Sequence, residues 1–537
     1  MTPLHIHSNY SLLEGAASID DIIEYAVKKK LKSLALTDTN GMYGLIKFVK
    51  KCSEAGINPI LGSLIDSPGN PELKAIFLAK NNEGYSELCK IITARKLNDD
   101  FSLVEIINQR PKNLFIITSS LELLKNISIY NNVYAELIST KSQKNKTGKL
   151  YEYTKANNIN VVAVNPVYFL KSEDFFLHKV VTSIRLNTTI ENIDSNNLVD
   201  DEFYWKDILE LEEIWDSLPE ALNASDFIAE NCKVDLKIGT YKYPKYNLSS
   251  GESSDSFLRE VTFNGLKENY IPLTTDAVDR LNYELEVIEE IHLTDYFLIV
   301  WDIVNEAKKR GMMFIGRGSA ANSIVSYCLG LTQVDPIKHK LYFERFLNKG
   351  RSNPPDVDID FSWKERDEIV KYVFEKYGYE NVAMISTTVT FRARSAFREV
   401  AKAFGLSNEE ISKYSKFIPW TDAANLPNIS ELFPESKNIN FKIEPWKSIV
   451  EIASRIANYP RHLSIHPSGI IITPQPVTNY TALEYAKNKG LGLIITQPDM
   501  YSIEDLGLIK IDLLSQRSLG VLRDAINRIN LNYNKGS

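Results

Sequence analysis

The stretch Pro354-Pro355-Asp356-Val357-Asp358-Ile359-Asp360-Phe361 alternates acidic and apolar residues. Alternation with a period of two predicts a β-strand with two different faces, and it puts the three aspartates on one of them. Aspartate is a poor strand former, and like charges two residues apart repel each other. We therefore expect a positive partner for this face, and a divalent cation such as Mg²⁺ suits hard oxygen ligands. A solvated edge strand whose charges prevent aggregation would give the same pattern.

The totals are those of an ordinary multidomain globular protein. The chain has 537 residues, of which 44% are hydrophobic and 24% are charged, and this length predicts roughly three or four domains. No apolar run approaches the length of a membrane span, and no signal-peptide pattern opens the chain. The four scattered cysteines form no CxxC pair, which favours a reducing cytoplasmic environment. Because the net charge is −7, any contact with nucleic acid must come from local basic patches.

A second signal precedes the aspartates. Residues 314–323, Phe-Ile-Gly-Arg-Gly-Ser-Ala-Ala-Asn-Ser, run from an apolar strand through a glycine-rich turn into a helix. Glycine lets the backbone approach an anion closely, and Ser319 is predicted to cap the helix, whose first amides would face a phosphate. Arg317 offers a fork to phosphate oxygens. A plain capped turn would give the same pattern, but a phosphate cradle followed by paired aspartates is typical of nucleotidyl transfer.

The first 65 residues or so predict alternating short strands and helices, which are typical of a barrel-like α/β layer. Residues 4–7 are strand-like, so His5 and His7 are predicted to point the same way and could share a metal, with Glu14 close behind. Structural histidines would give the same pattern. Further along, residues 141–149 are predicted to form a polar surface loop, and residues 241–256 a linker rich in proline, glycine and serine.

The N-terminal motifs resemble a known domain. The segments 5–15 (His-Ile-His-Ser-Asn-Tyr-Ser-Leu-Leu-Glu-Gly), 36–38 (Leu-Thr-Asp) and 56–62 (Gly-Ile-Asn-Pro-Ile-Leu-Gly) are similar to the PHP (polymerase and histidinol phosphatase) domain of bacterial replicative DNA polymerases. Intact members bind a metal cluster that hydrolyses phosphoesters. The resemblance implies that this chain keeps three ligand positions, at His5, His7 and Glu14.

Other ligand positions of the PHP domain are substituted in this chain. They are occupied by Thr39, Leu64, Pro166 and Tyr168. Leucine and proline donate no ligand, and threonine and tyrosine are poor substitutes here. We therefore expect a vestigial site, in a domain that serves as a scaffold for the rest of the chain.

The later motifs resemble the palm of the bacterial family C DNA polymerases, the polymerase III alpha subunits. The matching segments are 316–323, 335–336 (Asp-Pro), 341–348 (Leu-Tyr-Phe-Glu-Arg-Phe-Leu-Asn) and 355–361. A third family aspartate follows the thumb, and residues 508–514 (Leu-Ile-Lys-Ile-Asp-Leu-Leu) resemble the strand that carries it. Beyond it, the family has Phe-Leu-Gly-Leu-Arg where this chain has Leu-Leu-Ser-Gln-Arg, at residues 513–517.

The resemblance implies a specific set of site residues. The catalytic residues and ligands of two Mg²⁺ ions would be Asp356, Asp358 and Asp512, with Asp360 in a supporting role. The substrate-binding residues would be Arg317, Gly318, Ser319, Lys510 and Arg345. His466 is expected to lie near the nucleotide, and the basic face of the helix at residues 391–404 could grip a DNA backbone.

The expected architecture combines α/β and α+β parts. Residues 1–240 would form a PHP-type barrel-like domain, 241–386 and 465–537 a nucleotidyltransferase-like mixed-sheet palm, and 387–464 an inserted helical thumb. In the family, a fingers domain, a clamp-binding tail, a hairpin and an OB-fold module follow, so the resemblance covers the N-terminal half. It implies primer–template DNA and deoxynucleoside triphosphates as substrates. It also implies replisome partners such as a proofreading exonuclease subunit and a sliding clamp.

Three functions remain open from the residues. The first is template-directed DNA synthesis by a two-metal mechanism. The second is a PHP-type phosphoesterase or exonuclease, against which the substituted ligand positions argue. The third is a catalytically inert, DNA-binding half of a polymerase, because the fingers are not among these residues.

Overall fold

A computed structural model of the chain describes residues 1–248, 251–348, 350, 355, 357–486 and 492–533, with side chains up to residue 530. The described residues form two sheets, each with its own hydrophobic core, and a helical insertion with a third core. Asp356, one of the three predicted metal ligands, lies outside the described residues. None of the described helices is both long and apolar enough to cross a membrane.

Six described strands form the sheet of the N-terminal domain, in the order β1 (Ser33–Leu36), β2 (Asn58–Ser67), β3 (Asn70–Ala79), β4 (Leu114–Thr118), β5 (Val133–Ile138) and β6 (Asn160–Val164). β2–β3 and β3–β4 pair antiparallel, and the other neighbours pair in parallel. The helices of this domain are α1 (Ile19–Lys28), α2 (Leu45–Ala55), α3 (Asn82–Leu97), α4 (Leu103–Asn108), α5 (Leu121–Asn126), α6 (Lys144–Asn157), α7 (Phe175–Leu186), α8 (Ile208–Ile214) and α9 (Pro219–Glu230).

The start of the chain curls this sheet toward a barrel. Residues 3–7 donate or accept backbone hydrogen bonds with β1 on one side and with Val167, which follows β6, on the other. Only Ile6 forms a ladder bridge there, so the strand predicted over residues 4–7 is reduced to an isolated bridge. The loop predicted over residues 141–149 is also partly wrong, because α6 begins at Lys144.

Seven described strands form the second sheet: β7 (Phe314–Arg317), β8 (Asp358–Ser362), β9 (Val382–Thr390), β10 (Pro460–Ile472), β11 (Leu483–Tyr485), β12 (Ile494–Asp499) and β13 (Lys510–Gln516). Their spatial order is β11-β12-β9-β10-β13-β8-β7. The helices packed around them are α10 (Ser254–Asn269), α11 (Thr275–Glu290), α12 (Thr294–Lys309), α13 (Ile324–Cys328), α14 (Arg366–Tyr377), α19 (Met500–Asp505) and α20 (Arg517–Tyr533).

A helical subdomain is inserted between β9 and β10. Its helices are α15 (Ala393–Ala403), α16 (Asn408–Ser415), α17 (Ile429–Leu432) and α18 (Trp446–Arg455). The two strands that flank it pair antiparallel along nearly their whole length, so residues 387–390 and 460–464 belong to the sheet. The predicted fold class, an α/β domain followed by a mixed sheet with an inserted helical part, is confirmed.

The segment predicted to be a linker belongs to the second sheet domain. Lys242 forms an isolated bridge with Leu508, and its backbone N–H donates to the carbonyl of Gly507 at 2.8 Å. Tyr243 and Tyr246 pack against the core of this domain. Aromatic side chains bury a large apolar area, and this outweighs the loop-forming composition of the stretch.

The N-terminal domain is docked on the second sheet and on the helical subdomain. The backbone N–H of Met42 donates to Gln497 Oε1 at 3.0 Å, and Lys50 pairs with Asp505 at 2.7 Å. On the other side, α7 shares one hydrophobic core with α15 and α18. These contacts connect the N-terminal domain to both other parts of the structure.

Candidate active site

The second sheet brings Asp358 and Asp512 side by side. β8 and β13 pair in parallel, and the register sets these two residues directly opposite each other. Neighbouring strands lie about 4.8 Å apart, and residues paired in this way point to the same face. The alternation expected from the sequence is present, because Ile359, Phe361 and Ile511 on the opposite face are fully buried in the core.

Asp512 is buried, is held by two neighbours and lies near a third. Lys510 Nζ lies 2.7 Å from Asp512 Oδ2, and Ser468 Oγ donates to Asp512 Oδ1 at 2.5 Å. His466 Nδ1 is 3.9 Å from Oδ1 and accepts a hydrogen bond from the backbone N–H of Gly469 at 2.8 Å. Burial lowers the pKa of His466, and the charge of Lys510 acts in the same direction while that of Asp512 opposes it. The imidazole therefore stays neutral at neutral pH.

An irregularity in β10 aims Ser468 at Asp512. The pairing of β10 with β9 shifts register between Ile465 and Ile470, and such irregularities often redirect side chains beside active sites. The buried guanidinium of Arg366 secures this segment by donating to the carbonyls of Pro467 at 3.2 Å and of Leu513, on β13, at 3.0 Å. One side chain thus ties the irregular segment to the strand that carries Asp512.

Arg317 lies across the other two described aspartates. β7 pairs antiparallel with β8, so that Arg317 faces Asp358. Its Nε is 3.0 and 3.1 Å from the two carboxylate oxygens of Asp360, and its Nη1 is 3.4 Å from Asp358 Oδ2. The hydrogen bond that Arg317 donates to Asp360 raises the pKa of Arg317 above its usual value. Arg317 therefore supplies positive charge to these two acids, and the expected divalent cation stays a prediction.

The glycine-rich turn after β7 differs in detail from the prediction. Residues 318–322 form a short 3₁₀ helix, and Ser323 rather than Ser319 caps α13, accepting from the N–H of Ser326 at 3.1 Å. The buried carboxylate of Glu284 accepts from the hydroxyl of Ser323 at 2.7 Å and from the N–H of Val325 at 3.2 Å. The amides at this end of α13 are therefore engaged by Ser323 and Glu284, and the prediction that Ser319 caps the helix is wrong. Phosphate binding by Arg317, Gly318 and Ser319 stays a prediction.

The two glycines of the turn have separate roles. A Cβ on Gly316 would lie 1.8 Å from the carbonyl oxygen of Leu331, so the close approach of two backbone segments requires glycine there. Gly318 has φ +78° and is exposed beside Asp358, whose Oδ2 is 3.8 Å from where its Cβ would be. Gly318 is thus the part of the turn that leaves room next to a carboxylate.

The remaining predicted substrate contacts lie around this turn. Ser319 is half-buried within the 3₁₀ helix, and its carbonyl accepts from the side-chain amide of Asn322 at 2.9 Å. Arg345 is exposed at the end of another short 3₁₀ helix, Phe343–Arg345, which packs against residues 318–322. Arg317 and Lys510 are therefore the predicted cations that contact the carboxylates, and Arg345 lies on the neighbouring turn.

Three residues that shape this site were not predicted from the sequence: Ser468, Glu284 and, in its structural role, Arg366. A serine within a strand carries no distinctive local signal. Glu284 is fully buried and burial raises its pKa, with Arg280 and Ser323 opposing that shift. A carboxylate at a position of the core-facing stripe of α11 was the one available hint, since buried acids need partners.

The described carboxylates fit a divalent metal ion in their chemistry. Asp358 and Asp512 supply hard oxygen ligands from adjacent strands on one face, which is the donor type that Mg²⁺ prefers. Among the described residues, no three side chains of histidine, cysteine, aspartate or glutamate are grouped so as to hold a metal. Asp356, two residues before Asp358 on the same predicted strand, is the position from which a further ligand would come.

The three retained PHP positions lie in a second, separate polar cluster. His5 Nδ1 is 2.6 Å from Glu136 Oε1, and His5 Nε2 is 3.0 Å from His7 Nε2. His7 Nδ1 is 2.8 Å from Ser11 Oγ, which in turn donates to Asp38 at 2.7 Å. Both ring nitrogens of each histidine thus contact other protein groups.

Substituted side chains complete this cluster. The ring of Tyr168 stacks on His7 at 4.0 Å, and Thr39 Oγ1 donates to Glu14 Oε2 at 3.2 Å. Burial lowers the pKa of His7, with His5 and Lys74 adding to the effect. The ring nitrogens of His5 and His7 contact other protein side chains, which supports the interpretation of a vestigial site. That interpretation stays a prediction.

The basic face predicted for α15 is partly engaged within the helical subdomain. Arg394 Nη2 donates to the carbonyl of Ile418 at 2.6 Å, and Arg398 Nη1 donates to Ser415 at 3.3 Å. Arg392 lies 3.5 Å from Asp422. These guanidinium groups join α15 to α16 and the loop after it, and this structural use accounts for much of the basic pattern.

Comparison with known proteins agrees with this arrangement. Residues 3–153 match the PHP domain, and residues 256–515 match the bacterial DNA polymerase III alpha NTPase domain. DNA polymerase III subunit alpha of Bacillus subtilis is 33% identical, covering 98% of this chain and 49% of the relative. The corresponding protein of Borreliella burgdorferi is 34% identical with coverage of 98% and 49%. An error-prone DNA polymerase of Symbiobacterium thermophilum is 31% identical with coverage of 98% and 52%.

The two matched regions, a PHP domain followed by a polymerase III alpha domain, define the class of chain to which this protein is similar. More particularly, the chain belongs to the family of bacterial DNA polymerase III alpha subunits. It spans about half the length of the curated relatives that it matches. Among solved structures, an amidohydrolase from Chromobacterium violaceum is similar at 13% sequence identity with a TM-score of 0.23. The similarity covers 31% of this chain and 87% of the amidohydrolase chain.

Proposed function

We propose that this chain carries the nucleotidyl-transfer site of a replicative DNA polymerase, with primer–template DNA and deoxynucleoside triphosphates as substrates. The observation that supports it best is the pairing of Asp358 with Asp512 on one face of the sheet, beside two cationic side chains. The family supports divalent metal dependence in general. We propose Mg²⁺ specifically, two ions per site, held by Asp356, Asp358 and Asp512.

Metal ions held by these carboxylates would supply Lewis-acid activation of the primer 3′-hydroxyl and charge stabilisation for the leaving pyrophosphate. The protein's own part is positioning and charge. Asp512 is fixed by Ser468 at 2.5 Å and by Lys510 at 2.7 Å, so its carboxylate does not have to be ordered when a ligand arrives. Lys510 and Arg317 place positive charge where a triphosphate would bring negative charge.

The turn after β7 would admit the triphosphate. Gly318 is exposed and has no side chain between the backbone and Asp358, and Ser319 follows with a hydroxyl that could donate to a phosphate oxygen. Arg345, on the neighbouring turn, would add a further cation. We also propose the replisome partners of the family, a proofreading exonuclease subunit and a sliding clamp, and a cytoplasmic location consistent with four buried, unpaired cysteines.

The test combines metal binding with primer extension. Mn²⁺ binding, followed by electron paramagnetic resonance, should be lost in Asp358→Asn and in Asp512→Asn, because each change removes a ligand charge. Glu368→Gln, which alters an exposed acid on α14 in the same domain, is the matched control and should bind normally. Mn²⁺ binding that survives both aspartate changes would refute the site.

Primer extension with Mg²⁺ then separates two of the functional hypotheses. Incorporation of nucleotides that depends on Asp358 and Asp512 supports DNA synthesis by this chain. Binding of metal and DNA without extension would instead support the inert half-polymerase. Hydrolysis of a model phosphodiester that is lost in His7→Ala would support the PHP-type phosphoesterase.

A further inference from the structure

Asp360 is the acid of the alternating stretch that the proposed mechanism does not use as a metal ligand. Its exposed fraction is 7%, so its carboxylate is largely removed from water. A buried carboxylate needs charged or hydrogen-bonding partners. The two described partners are Arg317, at 3.0 and 3.1 Å from Nε, and Gln516, whose Nε2 donates at 3.4 Å.

The contact between Asp360 and Arg317 uses one edge of the guanidinium. Both carboxylate oxygens lie near Nε, while Nη1 is directed to Asp358 at 3.4 Å. An arginine side chain has several rotatable bonds, but its planar end has fixed donor directions. Holding Nε therefore sets the direction of both Nη groups. The side chain of Arg317 remains 45% exposed, so those groups are accessible at the rim of the site.

The backbone adds to this constraint. Asp360 and Arg317 come from adjacent antiparallel strands, and Asp360 pairs with Ile315, two residues before Arg317. The next residue, Gly318, leaves the space beside Asp358 open. Gln516, at the end of the strand that carries Asp512, is a second donor to Asp360 and so connects the anchor of Arg317 to β13.

We propose that Asp360 is a positioning residue that holds Arg317 so that its Nη groups contact the incoming triphosphate. This inference rests on the proposed function. With Nε held on Asp360, Nη1 keeps its direction toward the space beside Asp358, where a phosphate oxygen of the triphosphate would accept from it. Asp360 thereby acts on the substrate only through Arg317 and contributes no ligand to the metal.

Isothermal titration of the full chain with inorganic tripolyphosphate and Mg²⁺ tests this inference. Asp360→Ala and Arg317→Ala should each weaken tripolyphosphate binding about tenfold or more, as expected for loss of a charge-assisted contact. The double variant should bind no more weakly than Arg317→Ala alone, because both changes remove the same contact. Mn²⁺ affinity should change less than about threefold in Asp360→Ala.

Asp360→Asn is a second variant that keeps the size of the side chain, and thermal unfolding reports whether each variant is folded. Asp360→Asn should bind tripolyphosphate with an affinity between those of the wild type and Asp360→Ala, because the new amide oxygen can still accept from Arg317 Nε. Additive losses in the double variant, or loss of Mn²⁺ binding in either Asp360 variant, would overturn the inference while leaving the proposed function standing. If the wild-type chain bound neither Mn²⁺ nor tripolyphosphate, the proposed function itself would fail.

Discussion

Replacing Ser468 by alanine removes the shortest hydrogen bond to Asp512. Ser468 and Asp512 are only 4% and 5% exposed, and Ser468 Oγ lies 2.5 Å from Asp512 Oδ1. A hydrogen bond to a charged group contributes about 1.5–3 kcal/mol, whereas one between neutral groups contributes about 0.5–1.5 kcal/mol. We therefore expect Ser468→Ala to lower the free energy of unfolding by about 1.5–3 kcal/mol.

Hydrogen exchange of the β10 and β13 amides, followed by mass spectrometry, measures this loss where it should occur. Ser464→Ala is the matched control on the same strand, because Ser464 is exposed and should change stability by no more than about 0.5 kcal/mol. The decisive comparison repeats Ser468→Ala in an Asp512→Asn background. In that background, the decrease in the free energy of unfolding caused by Ser468→Ala should be smaller by about 1 kcal/mol or more, because the side chain at position 512 is then neutral. An undiminished loss would refute the reasoning.

Two further predictions concern the turn and the N-terminal domain. Gly316→Ala should destabilise the second sheet by about 1–3 kcal/mol or more, because the new Cβ would lie 1.8 Å from the carbonyl oxygen of Leu331. The control, Gly148→Ala in α6, should be neutral or stabilising, because nothing lies within 4 Å of its new Cβ. Urea unfolding measures both variants. His178 accepts from Val199 N–H at 3.2 Å, and burial lowers its pKa, so its stabilising contribution is present above the unfolded pKa near 6.5 and is lost as pH falls below it. His178→Gln should therefore flatten the fall in thermal stability between pH 7 and 5, and an unchanged slope would contradict this.

The carboxylate pair could be predicted from the sequence because its pattern is local. Period-two alternation around Asp358 and Asp512 is a direct consequence of strand geometry, and the structure shows both strands with that alternation. The register that makes the two residues neighbours is set by tertiary packing. No local pattern contains it, and it came from the resemblance alone.

The predictions that were wrong share a physical cause: contacts with residues far away in the sequence determine the local structure. Ser319 was expected to cap a helix, but the 3₁₀ turn moves the cap to Ser323, where Glu284 from α11 also binds. Residues 4–7 were expected to form a strand, but they lie between two other segments and make one bridge. The tyrosines of the expected linker pack against a core formed by residues far along the chain.

The position of β13 in the sheet has a consequence for synthesis of the chain. Among the described strands it is the last in sequence, yet it lies in the interior between β10 and β8. While the ribosome adds residues at about 5–20 per second, the facing edges of β10 and β8 stay unpaired until residues 510–516 emerge. Open strand edges are templates for pairing with other chains. Premature termination just before Lys510 should therefore yield an aggregation-prone product, with the centre of its sheet missing.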